Sequence, residues 1–337
     1  MIECIFTIDY EIYGNGDGSL EELVFAPADK LNSLFRQAGC KFVAFIEAAE
    51  LELIQDQGSD PAIGLISEQI KSFHNEGIEI GLHLHPQWYK ARHENGQWRL
   101  DYSEYNLCTL PRERIAEIVD RSISYLRRVL GQPDFTPLSF RAGNWLMQPT
   151  HVAAGVLAER GIKLDSSVFK GGLQHRHGLD YRKAIGNGYY WTFSDHVDMP
   201  DANGTLLEIP TYTEMVPFWK MLTMKRVGMK GAGNDKGKGL SSHSLSSARL
   251  ERLIDFLRFR YPLKLDYCRM TIDELTKMMG AIVREDRKAP GRYRPIVAIG
   301  HTKDLVDYET IRSFLAYLQE NGIRVSTFKD VYDKCKT

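Results

Sequence analysis

Two histidines separated by one residue, His83 and His85, end an apolar run and are the side chains in this sequence best suited to binding a metal. Side chains two positions apart in a β-strand point to the same side, so both imidazoles can reach one ion. Imidazole nitrogen is a ligand for zinc and its first-row neighbours. Polar capping of the strand end is the alternative interpretation, but the spacing favours a divalent-metal site.

Two carboxylates, Asp9 and Glu11, have the same spacing at the end of the first apolar run. One can ligate the ion while the other accepts a proton. An ion held by two histidines and one carboxylate keeps positions open for water, which becomes a usable nucleophile near neutral pH. The pair therefore predicts metal-assisted hydrolysis, with solvation of a strand end as the alternative.

His301 and Arg141 end two further apolar runs. Histidine titrates around physiological pH, so His301 suits a general acid, although a structural role is the alternative. Arginine stays charged and can hold the pKa of a neighbouring carboxylate low, which is the role we expect for Arg141. A plain structural ion pair is the alternative for Arg141.

Other polar and aromatic side chains fall at or just after predicted strand ends, where they could contact a substrate or support the residues that do. For the carboxylates both roles remain open, and for the tryptophans both sugar stacking and packing remain open. These candidates are Glu47, Trp88, Asn144, Trp145, Asp165 and Glu208.

The elements that carry these residues are short apolar runs alternating with segments of helical period, a pattern typical of β/α units around a parallel sheet. We predict strands at 2–9, 41–47, 78–85, 138–143, 162–168, 205–211, 295–301 and 323–328. We predict helices near 27–39, 63–76, 111–130, 149–160, 246–260, 271–283 and 307–321. In β/α barrels the chemistry lies at the C-terminal ends of the strands, where the candidate residues lie. The expected fold is therefore α/β, a parallel (β/α) barrel of seven or eight strands.

We expect a single domain over residues 1–337, with a flexible, basic, glycine-rich loop at about 225–245 as a solvated loop or a substrate flap. The 43 basic and 44 acidic residues give a net charge of −1, which argues against nucleic acid as a partner. No apolar run reaches the roughly 18 residues of a membrane span, so integral membrane association is not expected. The start lacks secretory-signal features and the five cysteines are scattered, so we expect a cytoplasmic protein of undetermined oligomeric state.

Five segments together resemble, in order, the motifs of the polysaccharide deacetylase family, the NodB-homology or carbohydrate esterase 4 type. They are Phe6-Thr7-Ile8-Asp9-Tyr10-Glu11, Glu79-Ile80-Gly81-Leu82-His83-Leu84-His85-Pro86, Phe140-Arg141-Ala142-Gly143-Asn144-Trp145, Leu164-Asp165-Ser166-Ser167 and Ile299-Gly300-His301-Thr302. The resemblance implies a distorted barrel with a divalent ion, usually zinc, with cobalt, nickel or manganese as alternatives. The ion polarises an acetamide carbonyl and activates water.

Carried over by position, the resemblance makes Asp9 the general base, Arg141 the residue that orients it, and His301 the general acid. Glu11, His83 and His85 would hold the metal. A backbone N–H near Asn144 would contribute to an oxyanion hole. Such a donor stabilises the transition state by roughly 3 kcal/mol.

Two departures from the family pattern indicate a divergent branch, because the usual metal aspartate falls at Tyr10 and the second histidine at Gln87. The expected function is removal of an N-acetyl or similar acyl group from a saccharide or sugar precursor. An imidase- or allantoinase-like hydrolase of another amide is the first alternative. A non-catalytic saccharide-binding barrel is the second.

Overall fold

The computed structural model describes residues 1–186, 189–221 and 260–336, and its centre is a strongly curved, mainly parallel sheet. The strands are β1 (Ile2–Tyr10), β2 (Val43–Glu47), β3 (Glu79–Leu84), β4 (Arg92–Glu94), β5 (Gln97–Arg99), β6 (Ser139–Ala142), β7 (Leu164–Asp165), β8 (Leu173–Gln174), β9 (Leu179–Asp180), β10 (Trp191–Phe193), β11 (Leu206–Glu208), β12 (Thr213–Val216), β13 (Tyr261–Lys264), β14 (Arg294–His301) and β15 (Arg324–Ser326). The order in the main sheet is β10-β11-β7-β6-β3-β2-β1-β14, and β15 also pairs with β1. Every pairing is parallel except that of β10 with β11.

The sheet closes on itself through irregular backbone between β11 and β14. Thr211 forms a parallel bridge to Val297, and Asp266 forms another to Ile299. The N–H of Tyr212 donates to the carbonyl of Val297 at 3.0 Å, which continues the same connection. Because loop segments replace a regular strand here, the barrel is distorted, as the resemblance to polysaccharide deacetylases implies.

Two apolar layers hold the barrel together. A small inner core fills the lumen, including Phe45 and Val297, and a much larger outer core lies between the strands and the helices. Gly81 makes the inner packing feasible, because a Cβ there would lie 2.7 Å from the Phe45 ring. Phe328 and Val331, near the C-terminus, also pack into the inner core. Because apolar side chains fill the lumen, polar functional groups are expected at one end of the barrel.

Apart from the short C-terminal helix, whose Phe328 and Val331 pack into the inner core, the described helices cover the outside of the sheet and turn apolar side chains toward it. They are α1 (Ala26–Gln37), α2 (Ala48–Gln57), α3 (Ile63–Asn75), α4 (Arg112–Leu130), α5 (His151–Glu159), α6 (Ile272–Lys288), α7 (Tyr308–Glu320) and α8 (Phe328–Val331). No described helix has both the length and the apolar character needed to cross a membrane.

The predicted fold class is confirmed, and each of the eight predicted strands overlaps an observed one, although β7 and β11 are much shorter than predicted. Helix α2 was not predicted, because it starts directly after β2 without a turn signal in the sequence. The antiparallel pairs β4–β5, β8–β9 and β12–β13 were also not predicted. The predicted glycine-rich loop at 225–245, and the predicted helix at 246–260 except its last residue, lie outside the described residues.

Candidate metal centre

Strand register aligns the candidate residues in two rows at the C-terminal ends of the strands. Glu47 is paired with His83, and His83 with Arg141, across β2, β3 and β6. On the other side, Asp9 of β1 is paired with His301 of β14. Paired residues of neighbouring parallel strands point to the same face, so both rows face the barrel mouth.

Four buried side chains, Glu11, Glu47, His83 and His85, each offer a ligand atom within 4.8 Å of the other three. The Nε2 atoms of His83 and His85 lie 3.4 and 3.2 Å from Glu11 Oε2. Ligand atoms in a tetrahedral zinc site with bonds of about 2.0–2.1 Å are about 3.3 Å apart. These spacings therefore fit one first-row divalent ion.

His83 is oriented by the backbone of the neighbouring strand. Its Nδ1 lies 2.9 Å from the carbonyl oxygen of Arg141, which can only accept, so Nδ1 carries the hydrogen. In the neutral ring the lone pair then lies on Nε2, the atom facing Glu11. Burial alone would lower the pKa of His83, but the charges of Asp9 and Glu11 outweigh it and raise the pKa to about 9. This position therefore favours a positive charge.

His85 is held on its other ring nitrogen by two amide side chains. Gln87 Nε2 lies 3.3 Å and Asn144 Nδ2 3.1 Å from His85 Nδ1. Gly143 gives the ring its space, since a Cβ there would lie 2.7 Å from Cγ of His85 and 2.5 Å from the carbonyl of Leu84. Burial lowers the pKa of His85, so the ring is in its neutral, ligating form near neutral pH.

Glu11 lies just beyond β1 and is fixed by the segment that follows His301. Lys303 Nζ donates to Glu11 Oε1 at 2.8 Å, and Thr302 Oγ1 donates to the Glu11 carbonyl at 3.0 Å. Burial alone would raise the pKa of Glu11, but Lys303 and His85 hold it well below its usual value. Lys303 thus occupies one carboxylate oxygen and leaves the other for the ion. Sequence reasoning missed Lys303, and its position two residues after His301 was the available signal.

Glu47 belongs to the same cluster as the two histidines, whereas the sequence left it open between a substrate contact and a supporting role. Its Oε2 accepts from the backbone N–H of His85 at 2.7 Å. Its Oε1 is buried and has no hydrogen-bond partner in the described part of the chain. Burial raises the pKa of Glu47 to about 8. An unpartnered carboxylate oxygen beside two imidazoles is what a cation site provides.

Asp9 forms a buried ion pair with Arg141 next to this cluster. Arg141 Nη1 donates to Asp9 Oδ1 at 2.7 Å, and both side chains are almost fully buried. Burial alone would raise the pKa of Asp9, but Arg141, His83 and His301 together lower it. Asp9 Oδ2 lies 3.5 Å from His301 Nε2, and His301 Nδ1 lies 3.6 Å from Asp304 Oδ2. The structure thus brings the sequence-predicted base and acid together.

The other candidates occupy supporting or packing positions. Arg141 donates through Nε to the carbonyl of Ser166 at 3.0 Å, beside Asp165, which shares a side-chain hydrogen bond with Glu208. Burial raises the pKa of both of these carboxyl groups. Trp88 is fully buried and packs edge-on against Trp98. Trp145 lies at the mouth with its indole 5.4 Å from the Arg141 guanidinium.

The two departures from the family pattern have distinct structural outcomes. Tyr10 is buried and its hydroxyl contacts Gln69 Oε1 at 2.6 Å, so it is directed into the helix layer. Gln87 contacts His85 at the centre of the site. The four residues of the cluster fit a divalent ion in donor type, spacing and burial.

Comparison with known proteins supports the fold. The sequence matches no family model and no curated protein at a significant level. A protein from Mycobacterium smegmatis described as a polysaccharide deacetylase has a similar structure, with a TM-score of 0.55 at 15% identity over 99% of this chain and 90% of that one. The Puue allantoinase gives 0.50 at 11% identity over 98% and 89%. A GH57-type branching enzyme from Pyrococcus horikoshii gives 0.56 at 10% identity over 100% and 71%.

These similarities establish a shared barrel fold, which is the fold that the resemblance to polysaccharide deacetylases implies. The structures that share this fold are named for three different activities, those of a deacetylase, an allantoinase and a branching enzyme. Fold alone therefore does not fix the reaction, and function has to be argued from the site.

Proposed function

We propose that this protein is a divalent-metal-dependent hydrolase that removes an N-acyl group, such as acetyl, from a saccharide or sugar precursor. The observation that carries the proposal is the buried cluster of Glu11, Glu47, His83 and His85 beside the Asp9–Arg141 pair. Two imidazoles and two carboxylates suit zinc, with cobalt, nickel and manganese as further candidates. A divalent ion bound there supplies Lewis acidity toward the amide carbonyl and toward water.

The proposed proton transfers use Asp9 and His301. Arg141 occupies Asp9 Oδ1, so Oδ2 is the oxygen that accepts the proton of the attacking water. Burial lowers the pKa of His301, so the proton that this histidine donates to the leaving nitrogen as the C–N bond breaks is the one that Asp9 Oδ2, 3.5 Å from His301 Nε2, has taken from water. The products are a carboxylic acid and an amine, and each proton-transfer residue contributes typically about 10²- to 10⁴-fold to the rate.

Arg141 and Lys303 act as positioning residues in this proposal. Arg141 keeps Asp9 ionised and fixed, because the two charges are 2.7 Å apart and shielded from water. Lys303 holds one oxygen of Glu11 so that the other faces the histidines. Both cations also offset the negative charge of the carboxylates that surround the ion site.

The test is release of acetate from N-acetylated mono- and oligosaccharides by zinc-loaded protein. We expect turnover in wild type and a loss of about 10²-fold or more in kcat for Asp9→Asn and His301→Gln. His196→Ala is the matched control, because this histidine is exposed and lies outside the cluster. Turnover of cyclic amides alone would favour the allantoinase-like alternative. Saccharide binding without turnover of any amide would favour the non-catalytic barrel.

A further inference from the structure

Lys264 of β13 is a further cation at the barrel mouth. Its Nζ lies 4.0 Å from the centre of the Trp145 ring and 4.6 Å from that of Phe169. The same indole is near Arg141, and Trp145 follows Asn144, which contacts His85. Lys264 is therefore adjacent to the proposed site.

Lys264 differs from the neighbouring cations in its partners. Arg141 pairs with Asp9 at 2.7 Å, Lys303 with Glu11 at 2.8 Å, and Arg269 with Asp304 at 2.6 Å. Among the described residues, Lys264 forms no salt bridge and no hydrogen bond through its ammonium group. Unlike those three cations, Lys264 thus has no direct carboxylate partner, although the charges of Asp266 and Asp9 act on it from a longer distance.

The nearest acidic residue in the sequence already has other partners. Asp266 Oδ1 accepts from the backbone N–H groups of Cys268 and Arg269, at 3.0 and 3.1 Å. Burial lowers the pKa of Lys264 to about 8, because the ammonium group has lost much of its water. Cation–π contacts with the two aromatic rings offset part of the lost hydration free energy. An anionic oxygen would offset more of it, because it would accept charge-assisted hydrogen bonds from the ammonium group.

The backbone of Trp145 supports a functional reason for this arrangement. Trp145 has a φ of 66°, and the preceding Asn144 has a φ of 54°. A bulky residue in the left-handed region is uncommon, and such conformations concentrate at ligand sites. Here the conformation allows the indole to lie beneath Lys264 and beside Arg141.

We propose that Lys264 binds an anionic group, a carboxylate or a phosphate, on the saccharide that enters this site. This inference deepens the proposed function and rests on it, because it names the substrate class as acidic or phosphorylated. Trp145 and Phe169 form the apolar floor beneath the ammonium group, and the anionic group approaches from the mouth. A neutral sugar would leave Lys264 without a direct ionic partner.

The test measures binding of glucose, glucuronate and glucose 6-phosphate to zinc-loaded protein by isothermal titration calorimetry. None of these sugars has an acyl amide, so the result does not depend on turnover. Wild type should bind at least one of the anionic sugars about tenfold more tightly than glucose, the effect of one charge-assisted hydrogen bond. Glucuronate and glucose 6-phosphate distinguish a carboxylate site from a phosphate site.

Lys264→Met should abolish this preference, and Lys264→Arg should keep part of it. Direct binding of the anion to zinc would survive in Lys264→Met, so an unchanged preference there would overturn the inference. Equal binding of all three sugars by wild type would also overturn it. If Lys264→Met does not fold, Lys264→Gln is measured in its place with the same expectation.

Lys163→Met is the matched control. Its ammonium group also lies over a ring, that of Tyr332 at 6.0 Å, but it immediately precedes β7 and so lies at the opposite end of that strand. It should keep the preference of wild type. A preserved anion preference together with no amide turnover would reject the proposed hydrolysis and retain the anion site.

Discussion

Replacing Arg141 by methionine tests the role of the buried Asp9–Arg141 pair. The side chains of Arg141 and Asp9 are 0% and 4% exposed, and their closest atoms are 2.7 Å apart. Removing one partner of a buried ion pair costs about 3–5 kcal/mol. Asp9 can limit its share of this cost by taking up a proton. For a carboxyl group with the usual pKa of about 3.9, protonation costs about 4 kcal/mol at pH 7 but only about 1.5 kcal/mol at pH 5.

The assay is urea-induced unfolding of metal-free wild type and Arg141→Met at pH 7 and pH 5. The pKa of Asp9 is lowered in the folded protein, so its contribution is present above its usual pKa and is lost as pH falls through the folded value. The variant instead recovers stability as pH falls toward the usual pKa. We therefore expect the difference in unfolding free energy to shrink by about 2–3 kcal/mol between pH 7 and pH 5.

A double-mutant cycle isolates the pair from the other contacts of Arg141, including its hydrogen bond to Ser166. Asp9→Asn combined with Arg141→Met should be less destabilised than the sum of the single variants by about 2–3 kcal/mol. Arg312→Met is the control, because its pair with Glu309 is exposed and should contribute less than about 1 kcal/mol. Additive single variants, or a difference independent of pH, would refute the role given to Arg141.

Three further predictions concern the surroundings of the site. Gln87→Leu removes an amide that contacts His85 and should weaken zinc binding about 10- to 100-fold in a chelator competition, whereas unchanged affinity would argue against a positioning role. Gly143→Ala should destabilise the protein by about 1–3 kcal/mol in thermal unfolding, because its Cβ would lie 2.7 Å from the His85 ring; an unchanged melting temperature would contradict this. The folded pKa of Glu208 is raised by burial, so wild type should lose stability as pH rises above about 4.5; Glu208→Gln should lose less, and identical pH profiles would contradict the shift.

The barrel could be predicted because its strands are short, apolar and separated by helices of clear period. The predicted strand bounds agree closely with β1, β3 and β14, where nearly every residue is buried. Parallel strands place their C-terminal ends at one edge, so Asp9, His83 and His301 could be expected to meet. The short antiparallel pairs were missed, because runs of two to four residues such as β8 and β9 carry little periodic signal.

The details of the site depended on contacts that spacing alone does not show. Glu47 could have been placed beside His83 if strand register had been known, since the two are paired between β2 and β3. Lys303 contacts Glu11 only because the segment after β14 packs against the end of β1. Lys264 gave no signal in the sequence, because the proposal for it depends on its contacts with Trp145 and Phe169 and on its lack of a direct carboxylate partner among the described residues. Such features are tertiary and cannot be predicted from local pattern.

The central claim is that Glu11, Glu47, His83 and His85 hold one divalent ion. Elemental analysis of wild type, His83→Ala and His85→Ala after exposure to zinc and removal of excess metal tests it directly, with His196→Ala as the control. We predict about one zinc ion per chain in wild type and His196→Ala, and a loss of bound zinc in both cluster variants. A wild-type protein that retains no ion, or cluster variants that retain as much zinc as wild type, would contradict the account.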